Sequence, residues 1–354
     1  MKNIKNIALT WWWTGGHIFP LMAIYNYFRE DKSDDWENLK YKFIWVWEED
    51  SIEEEITKKY KIKFLSIPAW KIRRYFDIRN LYEPFKNLTG IVFWIYYILR
   101  YNINIVFSKW WYVSLPLCIA AIILRKKIYI HESDMVVWLS NKIISKIATK
   151  IFYTFPNDKI DNKKHILSWQ ILNPEIIDYL TSLEIEENKR LTVMVIWWSQ
   201  WSTVIFEALL KILPKLNNIN FHIVLWTKNR HFRKKLSSFS NVMVHDFLTQ
   251  KILGKILKNI DIAITRGSAT TLWELNMFWI HSIIVPNKNS AGNHQQKNAL
   301  YFQGKFQSDI LDEKKSLGEE IFKKLQTYKD LRKSWLNLDK FFDPLNIIKK
   351  EIER

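Results

Sequence analysis

A chain of 354 residues is longer than one hydrophobic core usually serves, so two domains are expected, and 48% apolar with 25% charged residues excludes general disorder. A single cysteine, Cys118, excludes a disulfide-stapled scaffold and fits a reducing compartment. Lys+Arg 53 against Asp+Glu 36, a net charge of +17, points to polyanionic partners: nucleic acid, an anionic membrane face or a phosphorylated small molecule.

The opening MKNIKNIALT has no long apolar run and no small-residue cleavage site, so a cytoplasmic protein is expected. From there short β-rich runs alternate with longer amphipathic ones, the pattern of βα units around parallel sheets. Strands are expected at 4–10, 42–46, 103–107, 127–130 and 151–154, then at 191–196, 221–225, 242–246, 260–265 and 282–286. Between the two groups, 156–189 is polar and carries Pro174. The expected organisation is an N-terminal domain over 1–160, a C-terminal domain over 161–330 and a helical segment over 331–354. Each group holds a strand that runs into a punctuated loop and then a helix. The fold class is therefore α/β, two Rossmann-like domains facing a cleft in which ligands lie. Within the first group, Ile91–Leu99 is an apolar run with Lys71, Arg73, Arg74, Arg79 and Lys86 upstream and Arg100 after it. It is shorter than the roughly 20 residues a bilayer needs. On its own it reads as a buried core helix, the other reading being an interfacial helix on acidic headgroups.

Nineteen tryptophans stand against eight glycines. That is about 2% glycine, where ordinary usage is near 7%. The tryptophans crowd into strand-to-helix turns: Trp11, Trp12 and Trp13 abut Thr14-Gly15-Gly16, Trp110 and Trp111 follow one strand, and Trp197-Trp198-Ser199-Gln200-Trp201 follows another. Such turns need backbone freedom and close ligand approach, which glycine supplies and indole denies. Tryptophans that stack on single-stranded nucleic acid would instead alternate with basic residues on strands, so a nucleic-acid partner is not expected.

Six segments carry the chemistry: TWWWTGGHIFP at 10–20, SKWWYVSLP at 108–116, HESD at 131–134, IWWSQWS at 196–202, ITRGSATTLWEL at 264–275 and AGNHQQKNA at 291–299. With glycine read for the misplaced tryptophans they become GGGTGGHIFP, SKGGYVSLP, HESDMVVGLSN, IGGSQGS and RGSATT…E…HQQKNA. In that order the series resembles the MurG family, the undecaprenyl-diphospho-muramoylpentapeptide β-N-acetylglucosaminyltransferases of peptidoglycan synthesis, over nearly the whole chain. The departures are Trp11, Trp12, Trp13, Trp110, Trp111, Trp138, Trp197, Trp198 and Trp201, where the family has glycine. Trp47, Trp70, Trp169, Trp226 and Trp279 sit at turn-like or family-glycine slots as well. The economical explanation is a UGA codon that the cell reads as glycine; deliberate replacement of glycines is the rival. Glycine at all fourteen positions brings its usage to about 6%, near average. Trp36, Trp45, Trp94, Trp273 and Trp335 are left as candidate genuine tryptophans.

The resemblance implies a GT-B glycosyltransferase that moves GlcNAc from UDP-GlcNAc to the C4 hydroxyl of undecaprenyl-diphospho-MurNAc-pentapeptide with inversion, peripherally bound at the cytoplasmic face of an anionic membrane. It turns the 71–100 region toward the interfacial reading. His17 is the implied base at the acceptor hydroxyl, rather than a residue that only caps or packs; Glu132 and Asp134 assist, or are solvated loop carboxylates. The implied donor groups are Thr14, Gly15, Gly16, Ser199, Gln200 and Arg266 around phosphate, Glu274 on the ribose, and Gln295, Gln296 and Asn298 on the sugar. Tyr112 and Asn141 fall to the acceptor. Default structural readings stand beside these: a helix cap for Ser199, His294 and Asn298, and a surface ion pair for Arg266. Neither a Cys/His cluster with metal-ligand spacing nor a DxD-type pair in a donor loop is present, so no metal or cofactor is expected. The alternatives are a GT-B transferase for another lipid acceptor such as diacylglycerol, and an inactive chain if the tryptophans are literal.

Overall fold

The computed structural model describes residues 5–10, 15–29, 40–47, 62–66, 83–109, 114–137, 139–177, 179–180, 190–196, 203–246, 248–314, 316–331 and 343–354. They fall into two compact units: Met1–Ser133, Val137–Ile171 and Phe342–Arg354 in the first, Asp134–Val136 and Leu172–Phe341 in the second.

In the first unit, β1 (Lys5–Thr10), α1 (Gly15–Phe28), β2 (Tyr41–Trp47), β3 (Lys63–Ser66), α2 (Glu83–Arg100), β4 (Ile103–Ser108), α3 (Ser114–Ile123), β5 (Lys127–Glu132), α4 (Leu139–Ile147), β6 (Lys150–Tyr153) and β7 (His165–Leu167) follow one another. The strands form one parallel sheet in the order β3-β2-β1-β4-β5-β6-β7. Alternate residues of each strand feed two cores, which is why the strands are apolar nearly throughout. Ile7, Leu9, Phe43, Trp45, Ile105 and Phe107 pack under α1. Ala8, Ile44, Val46, Val106, Ile128 and Ile130 pack under Trp94 and Ile98 of α2 and Leu117, Cys118, Ala120 and Ala121 of α3. Burial there pushes the Cys118 thiol up to about 12.

Pro20 lies in the second turn of α1, which begins at Gly15. Without an N–H it leaves the Gly16 carbonyl unbonded by its i+4 residue.

The second unit comprises α5 (Pro174–Ile177), β8 (Thr192–Ile196), α6 (Thr203–Ile212), β9 (Asn220–Val224), α7 (Arg233–Leu236), β10 (Val242–His245), α8 (Gln250–Leu257), β11 (Ile262–Thr265), α9 (Ala269–Met277), β12 (His281–Ile284), α10 (His294–Lys305), β13 (Ser308–Ile310) and α11 (Leu317–Thr327). Its parallel sheet runs β10-β9-β8-β11-β12-β13. Val193, Val195, Phe221, Ile223, Ile262 and Ile264 form its core with α6 and α11.

The last helix, α12 (Pro344–Glu353), belongs to the first unit. Asp343 caps it by accepting from the Asn346 N–H at 3.0 Å, with Pro344 at the first helical position. Leu345, Ile348 and Ile352 enter the α1 core, and Glu353 and Glu351 pair with Lys40 at 2.6 Å and Lys150 at 2.9 Å. The sequence reading of 331–354 as one appended segment therefore differs from the contacts, which also carry 161–171 with the first unit.

Two tryptophans occupy left-handed backbone, Trp169 at φ 68° and Trp279 at φ 54°. Trp279 sits one residue beyond the cap of α9: its N–H donates to Asn276 O at 2.9 Å and the Ile280 N–H to Leu275 O at 3.1 Å. That paired arrangement ordinarily ends in glycine. Trp226 has extended backbone, φ −90° and ψ 161°, and Trp47 ends β2; neither conformation calls for glycine. Trp45, Trp94 and Trp273 are buried core side chains. The other ten of the fourteen positions lie outside the described residues.

Candidate active site

In both sheets the strand order reverses beside the first strand, between β1 and β4 and between β8 and β11. Open parallel sheets bind ligands at the carboxyl ends of their strands at such a point. Residues 11–14 and 110–113 follow the first pair and 197–202 follows β8, so Thr14, Tyr112, Ser199 and Gln200 lie outside the described residues. Gly15, Gly16 and His17 form the first turn of α1. Their main-chain N–H groups stand at the positive end of the helix dipole.

At the second reversal the site is built from short contacts. The Thr265 hydroxyl, at the end of β11, donates to Ile196 O at the end of β8, 2.7 Å away. Arg266 follows, 3% exposed, donating to Val285 O at 3.1 Å and pairing with Glu313. Burial lowers its pKa and the Glu313 carboxylate opposes that shift. Gly267 is pressed against α10: a Cβ there would lie 2.3 Å from Gln295 O. No other residue fits without moving the backbone. Ser268 then opens α9, in which Glu274 is buried.

The chain returns through Gly292 at φ 64° and Asn293 at φ 55°, two left-handed residues that turn it into α10, and the His294 ring meets Ala291 O at 2.9 Å within that turn. The Gln295 side-chain carbonyl accepts from the Asn287 N–H at 2.9 Å, and Gln296 is half-buried beside it. Asn298 is fully buried: its amide donates to Gly267 O at 3.0 Å and to Asp134 Oδ1 at 2.8 Å, and its oxygen accepts from the Met135 N–H at 3.0 Å. Protein groups take up this amide, which was expected on the sugar. The RGSATT and HQQKN segments thus meet in one place.

The two carboxylates of HESD have different partners. Glu132, 1% exposed at the end of β5, accepts from Asn141 Nδ2 of α4 at 2.8 Å. Asp134 is bound by Asn298 and groups with the second unit. His131, which the sequence reading passed over, is wholly buried, with Nε2 at 3.1 Å from Trp169 O. Burial first and the nearby Lys109 charge second lower its pKa to about 3, so the ring is neutral at ordinary pH. Its place in a charged-looking motif hides a core residue. Glu313, in the turn DEKK, is the other residue the sequence reading missed, and no local pattern marks it. Among the described residues no group of three or more His, Cys, Asp or Glu is placed to hold a metal ion.

Residues 7–153 match the glycosyltransferase family 28 N-terminal domain and residues 192–338 the family's C-terminal domain. The chain is 30% identical over 345 residues to the UDP-N-acetylglucosamine–N-acetylmuramyl-(pentapeptide) pyrophosphoryl-undecaprenol N-acetylglucosamine transferase of Borreliella afzelii (strain PKo), covering 94% of this chain and 91% of that protein. It is 27% identical to the protein of the same name from Clostridium kluyveri, covering 94% of each. The crystal structure of Acinetobacter baumannii MurG superposes with a TM-score of 0.71 at 20% identity, over 92% of this chain and 91% of that one.

Proposed function

The chain belongs to the MurG family within glycosyltransferase family 28, and from that membership we propose that it transfers GlcNAc from UDP-GlcNAc to the C4 hydroxyl of undecaprenyl-diphospho-MurNAc-pentapeptide, inverting the anomeric centre. The observation that carries the donor half is the seating of Gly267 against the Gln295 backbone. It sets the main chain that opens α9 beside the glutamines that open α10.

In this reading the donor diphosphate lies against main-chain N–H groups of 197–202 and of residues 267–269, where the positive end of α9 stabilises the charge that grows on departing UDP. Ser199 and Gln200 belong to the first of these segments. Glu274 receives the ribose hydroxyls, and Gln295 and Gln296, able both to donate and to accept, receive those of the sugar. The acceptor C4 oxygen attacks the anomeric carbon as the bond from that carbon to the diphosphate oxygen breaks; the bonding pair leaves with UDP and the hydroxyl proton passes to the His17 imidazole. Thr14, Gly15 and Gly16 precede that base in sequence and are assigned to phosphate. Tyr112 and Asn141 border the acceptor, and Asn141 also fixes the Glu132 carboxylate.

The acceptor is a lipid, and α2 supports a way to reach it. Trp94 and Ile98 face the core, whereas Val92, Phe93, Tyr96 and Leu99 are 67%, 55%, 57% and 62% exposed along the opposite face, with Arg100 after them. Among the described residues no helix is long and apolar enough to cross a membrane. We read this face, with the upstream basic stretch 71–79 that lies outside the described residues, as an interfacial docking surface for the cytoplasmic leaflet. The test is transfer of labelled GlcNAc to the lipid-linked muramoyl acceptor in anionic vesicles, with diacylglycerol offered in parallel. Product on the muramoyl lipid is expected; product on diacylglycerol alone overturns the acceptor assignment.

A further inference from the structure

Arg266 is the cation of the donor loop, and the resemblance makes it a ligand of the diphosphate. Its surroundings give it another task. The residue follows β11; Val285, whose carbonyl it binds at 3.1 Å, follows β12; Glu313, its ion-pair partner, lies in the turn after β13. One side chain therefore joins the carboxyl ends of three neighbouring strands. The Arg266 side chain is 4% exposed, and both the carbonyl and the carboxylate draw it toward the β13 edge, on the side of β11 away from β8. The next residue, Gly267, is held by Asn298 through its carbonyl and has no room for a Cβ.

We propose that Arg266 and Glu313 are positioning residues: their buried pair staples the ends of β11, β12 and β13 and so fixes the main chain of Gly267–Ala269 against which the nucleotide docks, the guanidinium itself not touching the diphosphate. The inference rests on the donor reading above. Removing one partner of a buried pair strands a charge, whereas replacing both with apolar groups of similar size does not. A displaced loop shifts the start of α9, and with it Glu274 on the ribose side, so it harms recognition of the nucleoside as much as of the phosphates.

The experiment measures affinity for UDP by calorimetry and for uridine by ligand-observed NMR, in the full chain carrying glycine at the fourteen positions named above. The variants are Glu313→Gln, Arg266→Met and the double variant Arg266→Met with Glu313→Met; thermal melting establishes that each is folded. The expected result is a loss of about tenfold, within the range of coupled contacts, that is the same for UDP and uridine in Glu313→Gln and Arg266→Met, with the double variant no worse than the weaker single one. If a single variant does not fold, the double variant, which strands no charge, carries the same comparison: a common factor is expected for UDP and uridine. A guanidinium that bound the diphosphate would give another pattern, in which Arg266→Met weakens UDP alone and Glu313→Gln leaves both affinities unchanged; that result overturns the inference. Failure of the unaltered protein to bind UDP removes the donor reading, and this inference with it.

Discussion

Trp169 and Trp279 hold backbone that costs an L-residue about 1–2 kcal/mol. Trp279 is 42% exposed, so little packing opposes the strain. Trp279→Gly is expected to raise stability by about 1 kcal/mol after the entropy that glycine loses on folding, read from the denaturant midpoint. At Trp45, 1% exposed in the first core, the same change removes a filled volume and is expected to destabilise by at least about 3 kcal/mol. If both variants are destabilised alike, the reading of Trp279 as a glycine position fails. Two histidines contribute to acid sensitivity: burial chiefly lowers the pKa of His131 to about 3 and of His222 to about 4. The unfolded chain takes up their protons near 6.5 while the folded chain does not, so stability falls as pH drops below about 6.5 and levels off only below those lowered values. A His131→Gln variant is expected to show a shallower loss between pH 6 and 4 in urea titrations; an unchanged slope contradicts the neutral, buried assignment. The candidate site residues Arg266, Glu274, Gln295 and Gln296 were legible as motifs. The contacts that fix them were not: Glu313 lies in an ordinary charged turn, and the amide of Asn298 is taken up by residues from 267 and from 134–135, a closure no local pattern announces.

Long apolar runs made ten strands readable, since a strand covered on both faces must be apolar at successive positions. The three that escaped, β3, β7 and β13, are edge strands with sequences KFLS, HIL and SDI. Pairing on one side and partial exposure leave so short a segment without a distinctive pattern. Helix α12 lies within the stretch read as helical, 331–354, but nothing local says which unit it covers. Helix α2 has a core face, with Trp94 and Ile98 inward, and an exposed apolar face, with Val92, Phe93 and Leu99 outward, on which the proposed interfacial reading rests. Serine at 92, 93 and 99 removes apolar contacts on the order of 1 kcal/mol each from a membrane interface and leaves the core intact. Co-sedimentation with anionic vesicles is expected to fall at least tenfold at an unchanged melting temperature. Binding of the parent protein should also weaken in high salt, because each nearby Lys or Arg adds about 1 kcal/mol that salt screens. Vesicle binding that ignores both changes removes α2 from the membrane surface.

Across the whole molecule, most of the misplaced tryptophans fall in the segments 11–14, 110–113 and 197–202, which follow the strands at the two reversal points in sequence. A loop that binds phosphate brings main-chain N–H groups within about 3 Å of oxygen, a distance at which an indole either fills the ligand's space or demands φ values it tolerates poorly. In the proposed function the segments that hold the tryptophans at 11–13, 110–111, 197–198 and 201 face the ligands, so indole there is expected to abolish transfer. One comparison decides between the two chemistries: the chain with glycine at the fourteen positions and the chain with tryptophan there, each assayed for transfer of GlcNAc from UDP-GlcNAc to undecaprenyl-diphospho-MurNAc-pentapeptide. Turnover by the glycine form and none by the tryptophan form is the expected result. Equal turnover by the tryptophan form, or none by a folded glycine form, contradicts it.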